Sequence, residues 1–219
     1  MNMEPQKCAE YCLEKLEKTM RSVKNDLAAV FMEPIQGEGG YNVPPREFVK
    51  GVRELCNKHE ALLAADEVQS GCYRTGSFLA IENFGVKPDI VALSKAIGGG
   101  IPIGATIANE AIMDWVPGSH ANTFGGNLLA CAGGIASLKF MKEKRLGENA
   151  RRVGAVMLKR LRSMEEEHEI IGDVRGIGLM IGIEIVKNKE TREYGIQERS
   201  EEFAQTIALE AGKPIIDAR

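Results

Sequence analysis

Residues 61–100 read ALLAADEVQSGCYRTGSFLAIENFGVKPDIVALSKAIGGG, and two short apolar runs inside this stretch decide the architecture. Ala61-Leu62-Leu63-Ala64-Ala65 leads into Asp66-Glu67, and Ile90-Val91-Ala92-Leu93 leads into Ser94-Lys95. Such runs are short for helices and do not alternate as half-exposed strands do, and turn residues bound them. They match strands buried in a parallel sheet. Upstream, Leu27 to Met32 is a third run of this kind, ending at Glu33-Pro34 before the loop Gln36-Gly37-Glu38-Gly39-Gly40. Pro45 opens a helix that runs to about His59 and separates the first run from the second. Strands alternating with helices predict an α/β fold, a largely parallel sheet with both faces covered.

Further out, Cys12, Leu13, Leu16, Met20 and Val23 recur at helical spacing between Ala9 and Val23, which predicts an amphipathic helix. Gly98-Gly99-Gly100 separates Lys95 from a fourth apolar segment, Ile103 to Ala108. Beyond Phe124-Gly125-Gly126-Asn127 the pattern turns helical over Leu128–Met141 and Glu148–Glu167. The segment from Ile170 to Gly178 then leads into a glycine-punctuated strand, Leu179 to Val186, and a last helix is expected from about Glu198 to Ala211. This order suggests that residues 1–134 form part of a large domain, with residues 135–219 supplying a linking helix and part of a smaller α/β domain.

Charge and cysteine usage narrow the function. The 28 basic and 31 acidic residues are spread along all 219 positions, so no basic stripe recommends nucleic acid. No apolar run approaches the roughly 20 residues that span a bilayer, and no signal peptide follows Met1, so the expectation is a cytoplasmic protein without a membrane partner. The 5 cysteines and 3 histidines are scattered and include no CxxC pair, which points to free thiols and to no metal site.

In an open parallel sheet, ligands collect at the carboxyl ends of the strands. Here those ends carry Glu33, Asp66-Glu67 and Ser94-Lys95. A lysine buried at such a place needs a partner or a route to neutrality, and an imine with an aldehyde cofactor provides one. A neighbouring carboxylate such as Asp66 can hold a pyridine nitrogen protonated and strengthen the ring as an electron sink. The same residues have blander readings: an Asp-Glu pair after a strand as a turn or helix cap, Lys95 as a solvated lysine, and the glycine run as a tight turn.

The whole string from Leu63 through Gly71, continuing over Arg74-Thr75-Gly76 to Pro88 and on to Gly100, resembles the signature of class III pyridoxal-phosphate (PLP) aminotransferases of the 4-aminobutyrate and ornithine type. Glu33–Gly40 looks like that family's substrate-side loop, and His120–Asn127 like its subunit-interface phosphate loop. The resemblance extends to about Glu202 and implies the PLP-dependent transferase fold of the aspartate aminotransferase kind (fold type I). It implies that Lys95 carries the cofactor as a Schiff base and then moves a proton as general base. Asp66 would pair with the pyridinium nitrogen, Val68 would pack on a ring face, and Gln69 would bond the phenolic oxygen. Glu38 would lie on the substrate side, and Thr123 would reach the phosphate of a partner protomer's cofactor.

The implied reaction moves an amino group between an amino acid, an ω-amino acid such as 4-aminobutyrate or ornithine, and a 2-oxo acid. Amino-acid racemases share the motifs, and a non-catalytic partner subunit is a reading from another class. Complete members of the family are roughly twice this length. Their glycine-serine phosphate loop, ring-stacking aromatic and substrate-carboxylate arginine have no counterpart here; Arg175 and Arg219 do not match the last. The expectation is therefore a homodimer, or pairing with a chain that supplies the missing half, and exposed apolar strand edges.

Overall fold

The computed structural model describes residues 3–194 apart from 24, 25, 39 and 192. The helix expected from Glu198 to Ala211 and the tail ending at Arg219 lie outside the described residues. Four strands form the larger sheet: β1 (Ala29–Met32), β2 (Leu62–Asp66), β3 (Ile90–Leu93) and β4 (Ala105–Ala108), in that spatial order. β1, β2 and β3 run parallel, and β4 returns antiparallel to β3 through the glycine turn that follows Lys95.

Helices α1 (Pro5–Ser22) and α2 (Arg46–Lys58) cover one face of this sheet. Proline in the first turn starts α1, where the missing N–H would have had no helical acceptor. On α2, Val49, Val52 and Cys56 fall at helical spacing and are fully buried against Leu63 and Ala65 of β2. Met20 of α1 and Ile35 join the same core, together with Ala80, Ile81 and Phe84 from a 3-10 turn (Ala80–Phe84). Burying a side chain of this size contributes about 1.5–3 kcal/mol, so this core is the main source of stability for the first half of the chain.

Two polar devices fix the register of these elements. Asp89, just before β3, accepts the Leu63 N–H at 2.7 Å and pairs with Arg53 of α2 at 2.6 Å, tying β2, β3 and α2 together. Glu17 of α1 pairs with Lys58 of α2 at 2.6 Å and with Arg21 at 2.7 Å, linking the two helices at the surface.

The opposite face is not covered as the apolar runs predict. Paired positions of neighbouring strands point the same way, so Phe31 and Ala64 share a face, and Phe31 is 64% exposed. β1 therefore alternates between exposed and half-buried positions. β1 and β4 are both edge strands in the described sheet.

The second half is built on α3 (Leu128–Glu143) and α4 (Leu146–Glu167). Asn127 caps α3, its side-chain oxygen accepting the Ala130 N–H at 3.1 Å. Helix α3 packs on the turn after β3 through Leu138 and Met141, which meet Val91, Leu93 and Ile97. Helix α4 lays Leu161 and Met164 on a second sheet of β5 (Ile171–Ile177), β6 (Met180–Asn188) and β7 (Glu193–Tyr194), all antiparallel. The stretch expected only to lead into a strand is itself β5, one arm of a tight hairpin with Gly178 (φ +59°) at its turn. Among the described residues no helix is long and apolar enough to cross a membrane.

Candidate active site

β3 delivers Lys95, and the chain turns sharply there. Ser94 is extended, whereas Lys95 takes the left-handed conformation with φ +47° and opens a 3-10 turn (Lys95–Gly98). A side chain at such an angle leaves the line of the strand. That non-glycine conformation costs on the order of 1 kcal/mol or more and is retained where surrounding structure imposes it. The imposing contacts are visible: the Ser94 hydroxyl donates to the Ile103 carbonyl at 2.8 Å, and the Ser137 hydroxyl of α3 donates to the Ala96 carbonyl at 3.2 Å. The glycine run makes the tight turn that joins this segment to β4, with Gly99 and Gly100 both at positive φ.

Lys95 is exposed rather than buried, so the expectation of a lysine sealed in the interior is corrected. Its side chain stands at the wall of an open cavity of about 350 Å³, shared with Tyr41, Val68, Gln69, Arg74 and Met180. That volume lies within the roughly 300–1,000 Å³ range of small-molecule sites.

The β2 end supplies the opposite groups. Asp66 closes the strand and its carboxylate accepts the Val68 N–H at 3.0 Å, so the chain turns back at once and presents Val68 and Gln69 to the cavity. This Asp-turn is the bland reading of Asp66, and it coexists with a carboxylate held two residues from the cavity wall. Glu67 points the other way. It is 1% exposed and accepts the Ser70 hydroxyl at 2.6 Å and the N–H groups of Ala80 and Ile81 at 2.9 Å each. Burial pushes its carboxyl above the ordinary range, partly offset by those three donors. Glu67 thus locks the Asp66–Gln69 turn to the core.

Glu38 meets Gln69 directly, the Gln69 Nε2 donating to the Glu38 carboxylate at 3.1 Å. Both line a second cavity, about 550 Å³, whose far wall is the β5–β6 hairpin with Arg175, Gly182 and Glu184. Burial pulls the Arg175 guanidinium down, but bonds to Asp173 and Glu184 outweigh it and leave its pKa raised.

Thr123 stands apart. It is exposed in the loop before α3 and does not line the Lys95 cavity. Its neighbours Asn122 and Phe124 line a third cavity of about 740 Å³ with Val68, Leu93 and Ser94. Of the residues expected at the site, the fold therefore gathers Lys95, Val68, Gln69 and Glu38, with Asp66 two positions before Val68. The residues not anticipated are Tyr41, Arg74, Leu179 and Met180. Leu179 and Met180 arrive through the hairpin, where the Leu179 N–H donates to the Arg74 carbonyl at 3.0 Å. No local pattern marks them, because that contact joins segments about a hundred positions apart.

The donor set suits an aldehyde-bearing aromatic cofactor. It offers a primary amine, an apolar wall at Val68, an amide at Gln69 that can meet a phenolic oxygen, and a carboxylate at the strand end for a ring nitrogen.

Comparison with known proteins agrees with this chemistry. The profile of the family described as "Aminotransferase class-III" matches residues 1–216. A leucine/methionine racemase of Thermococcus litoralis is 46% identical over 192 residues, which cover 87% of this chain and 43% of that protein. An acetylornithine aminotransferase of Methanothermobacter thermautotrophicus is 43% identical over 195 residues, 89% of this chain and 49% of its own. Among solved structures, an amine transaminase from an uncultivated Pseudomonas species, in PLP-bound form, superposes with a TM-score of 0.81 at 38% identity, covering 87% of this chain and 45% of that one. The chain spans under half the length of these relatives.

Proposed function

Because the chain belongs to the class-III aminotransferase family, we propose that it carries the lysine side of a PLP-dependent transaminase site. The reaction moves an amino group between an amino acid, with an ω-amino acid such as ornithine or 4-aminobutyrate as the preferred donor, and a 2-oxo acid. The observation that carries this is Lys95 at the wall of a cavity shared with Val68 and Gln69, which lie on a turn whose Val68 N–H donates to the Asp66 carboxylate. The acetylornithine aminotransferase among the relatives supports an ω-amino donor.

When bound, PLP supplies an aldehyde that accepts the amino group and an electron-withdrawing ring. The protein's residues do the rest. Lys95 would hold the aldehyde end and, once displaced by the donor, its Nζ would take the proton from the carbon that bears the reacting amino group. Asp66 would hold the ring nitrogen protonated, Val68 would pack against the ring, and Gln69 would donate to its phenolic oxygen. Glu38 faces the incoming substrate.

A second copy of the chain is the proposed partner, with Thr123 serving the phosphate across the contact. Supporting this, the loop before α3 and the start of the helix expose Phe124, Leu128 and Leu129, Leu128 at 86%. A chain supplying the remainder of the sheet is the other possible occupant, and sedimentation with and without added PLP separates the two by mass.

The test of the site is an absorbance titration of the purified chain with PLP, followed by borohydride and peptide mapping, with Lys95→Ala as control. A visible band and a label on Lys95, both lost in the control, support the proposal. Labelling unaffected by the substitution removes it and leaves the partner-subunit reading. An amino-acid racemase is the second reading, supported by the Thermococcus litoralis relative. It requires an acid or base on each side of the substrate, and the Tyr41 phenol in the Lys95 cavity is a candidate for the second. Chiral analysis of a single amino acid incubated with the chain and PLP, in the absence of any 2-oxo acid, distinguishes the two.

A further inference from the structure

The cavity of about 550 Å³, which shares Tyr41 and Gln69 with the Lys95 cavity, is walled by Glu38 and Tyr41 from the loop after β1, by Gln69, and by Arg175, Gly182 and Glu184 from the β5–β6 hairpin. The Arg175 side chain spans the seam between loop and hairpin. Its Nε–H donates to the Gly40 carbonyl at 3.0 Å, while Nη1 donates to Glu184 Oε2 at 3.0 Å and to Asp173. A guanidinium is a rigid planar fork, so two carboxylates on its own hairpin fix its plane and thereby the direction in which Nε–H points. That direction is toward the loop.

The loop is held closely on both sides. Gly182 leaves room for it, since a β-carbon there would stand 2.8 Å from the Gly40 carbonyl. On the other side Gly37 abuts the Gln69 side chain, and Gln69 in turn bonds Glu38. Among its described residues the loop also bonds within itself, Gln36 N–H to the Asn42 carbonyl at 3.1 Å, Asn42 Nδ2 to Gln36 Oε1 at 3.2 Å, and the Gly40 and Tyr41 N–H groups to the Gly37 carbonyl at 3.1 and 3.3 Å, while Gly37 N–H reaches Glu33 at 2.7 Å. These bonds shape the turn, whereas the Arg175 bond ties it to the hairpin, and the stability of such a segment follows its anchor.

We propose that Arg175 is a positioning residue for the substrate side of the site: through Gly40 it seats the loop after β1 on the hairpin and thereby sets the Glu38–Gln69 pair. Its relevance to catalysis rests on the transaminase reading above; the anchoring itself does not. With Nε on the Gly40 carbonyl and Nη1 on Asp173 and Glu184, Arg175 acts on the site through the loop.

The test is amide hydrogen exchange over residues 36–42 in the 219-residue chain, without cofactor or substrate, for wild type, Arg175→Ala and Arg175→Lys. The same samples are titrated with PLP beside Lys95→Ala. Both Arg175 variants are expected to speed exchange in the loop about tenfold or more, the effect of losing a hydrogen bond from a charged donor in a local opening. Exchange in β2 and β3 is expected to stay at the wild-type rate. Lysine keeps the charge but not the fork, so a role limited to charge balance would leave Arg175→Lys at the wild-type rate, and that result overturns the proposal. Faster exchange throughout the chain also overturns it, since the effect would then be global. If Arg175→Ala does not fold, Arg175→Lys and Glu184→Gln carry the test, the latter loosening the same segment by weakening the anchor. Loss of PLP capture in Lys95→Ala reports on the transaminase reading separately: capture that survives there refutes that reading and leaves the loop result standing.

Discussion

Replacing Glu67 by alanine tests the link between the core and the cofactor-facing turn most directly. The carboxylate is 1% exposed and is the acceptor for the Ala80 and Ile81 N–H groups and the Ser70 hydroxyl. Removing it orphans two buried N–H groups at about 1–3 kcal/mol each, whereas the Ser70 hydroxyl can rotate to another partner. Relief of the buried charge returns part of that, so the net loss at neutral pH is about 2–4 kcal/mol, a large fraction of a typical stability of about 5–15 kcal/mol. Glutamine keeps the volume, but either orientation of its amide sets an NH₂ against one of the two N–H donors, and about half the loss is expected. Urea unfolding reads both. With a slope of about 1–3 kcal/mol per molar, the alanine variant's midpoint falls by about 0.7–4 M. The titration with PLP should weaken in parallel, because Val68 and Gln69 hang on the same turn. An alanine variant whose midpoint stays within about 0.3 M of wild type would refute the idea that this carboxylate organises the turn. Burial raises the Glu67 pKa above its ordinary 4.5. The part of its contribution that is linked to protonation is therefore fully present below pH 4.5 and is lost as the pH rises through the folded-state value, while its hydrogen bonds to Ser70, Ala80 and Ile81 remain. That slope should vanish in the glutamine variant.

Other perturbations follow from the same structure. Gly154→Ala in α4 drives a β-carbon into the Gly178 carbonyl at the hairpin turn, and overpacking against backbone should cost about 1–3 kcal/mol or more, read as a lowered thermal midpoint. At Asp89, burial pushes the carboxyl up, but the Leu63 N–H and Arg53 outweigh it and hold its pKa below the ordinary 3.8. The stability it gives is present above pH 3.8 and is lost as the pH falls through the lower folded-state value, and Arg53→Met should flatten that acid limb in a pH series of urea midpoints. Lys58 and Arg21 hold the Glu17 carboxyl down at about 2, so Lys58→Ala should return it toward the ordinary range in a carboxyl-carbon NMR titration; a value that does not move would show that the pair is not formed in solution.

The parts of the fold that repeat locally were legible in the sequence. β3 falls where its apolar run predicts, and α2 and α4 lie within a few residues of their periodic patterns. β5 was missed as a strand because Gly172 and Gly176 interrupt its pattern; they are tolerated there because Val186 and the Met180 backbone approach where side chains would otherwise stand. The exposed face of β1 was hidden for the opposite reason, since an apolar residue such as Phe31 carries no mark of which side lacks a neighbour. At the site, Lys95, Gln69 and Glu38 could be chosen because a motif holds them at fixed spacing. Tyr41, Met180 and Arg175 could not, because their meeting depends on where the hairpin lands relative to the loop after β1.

The left-handed backbone at Lys95 bears on how the position would drift under mutation. Glycine or asparagine would sit at that φ with less strain than lysine, and a β-branched residue with more. The most comfortable occupants therefore lack an amine, and the position holds a long cationic chain in a conformation that works against it. For experiment, Lys95→Gly removes the amine and relaxes the backbone together, whereas Lys95→Ala removes the amine and leaves the strain in place. A difference in thermal midpoint between those two variants would measure how much conformational tension the turn holds beneath the lysine.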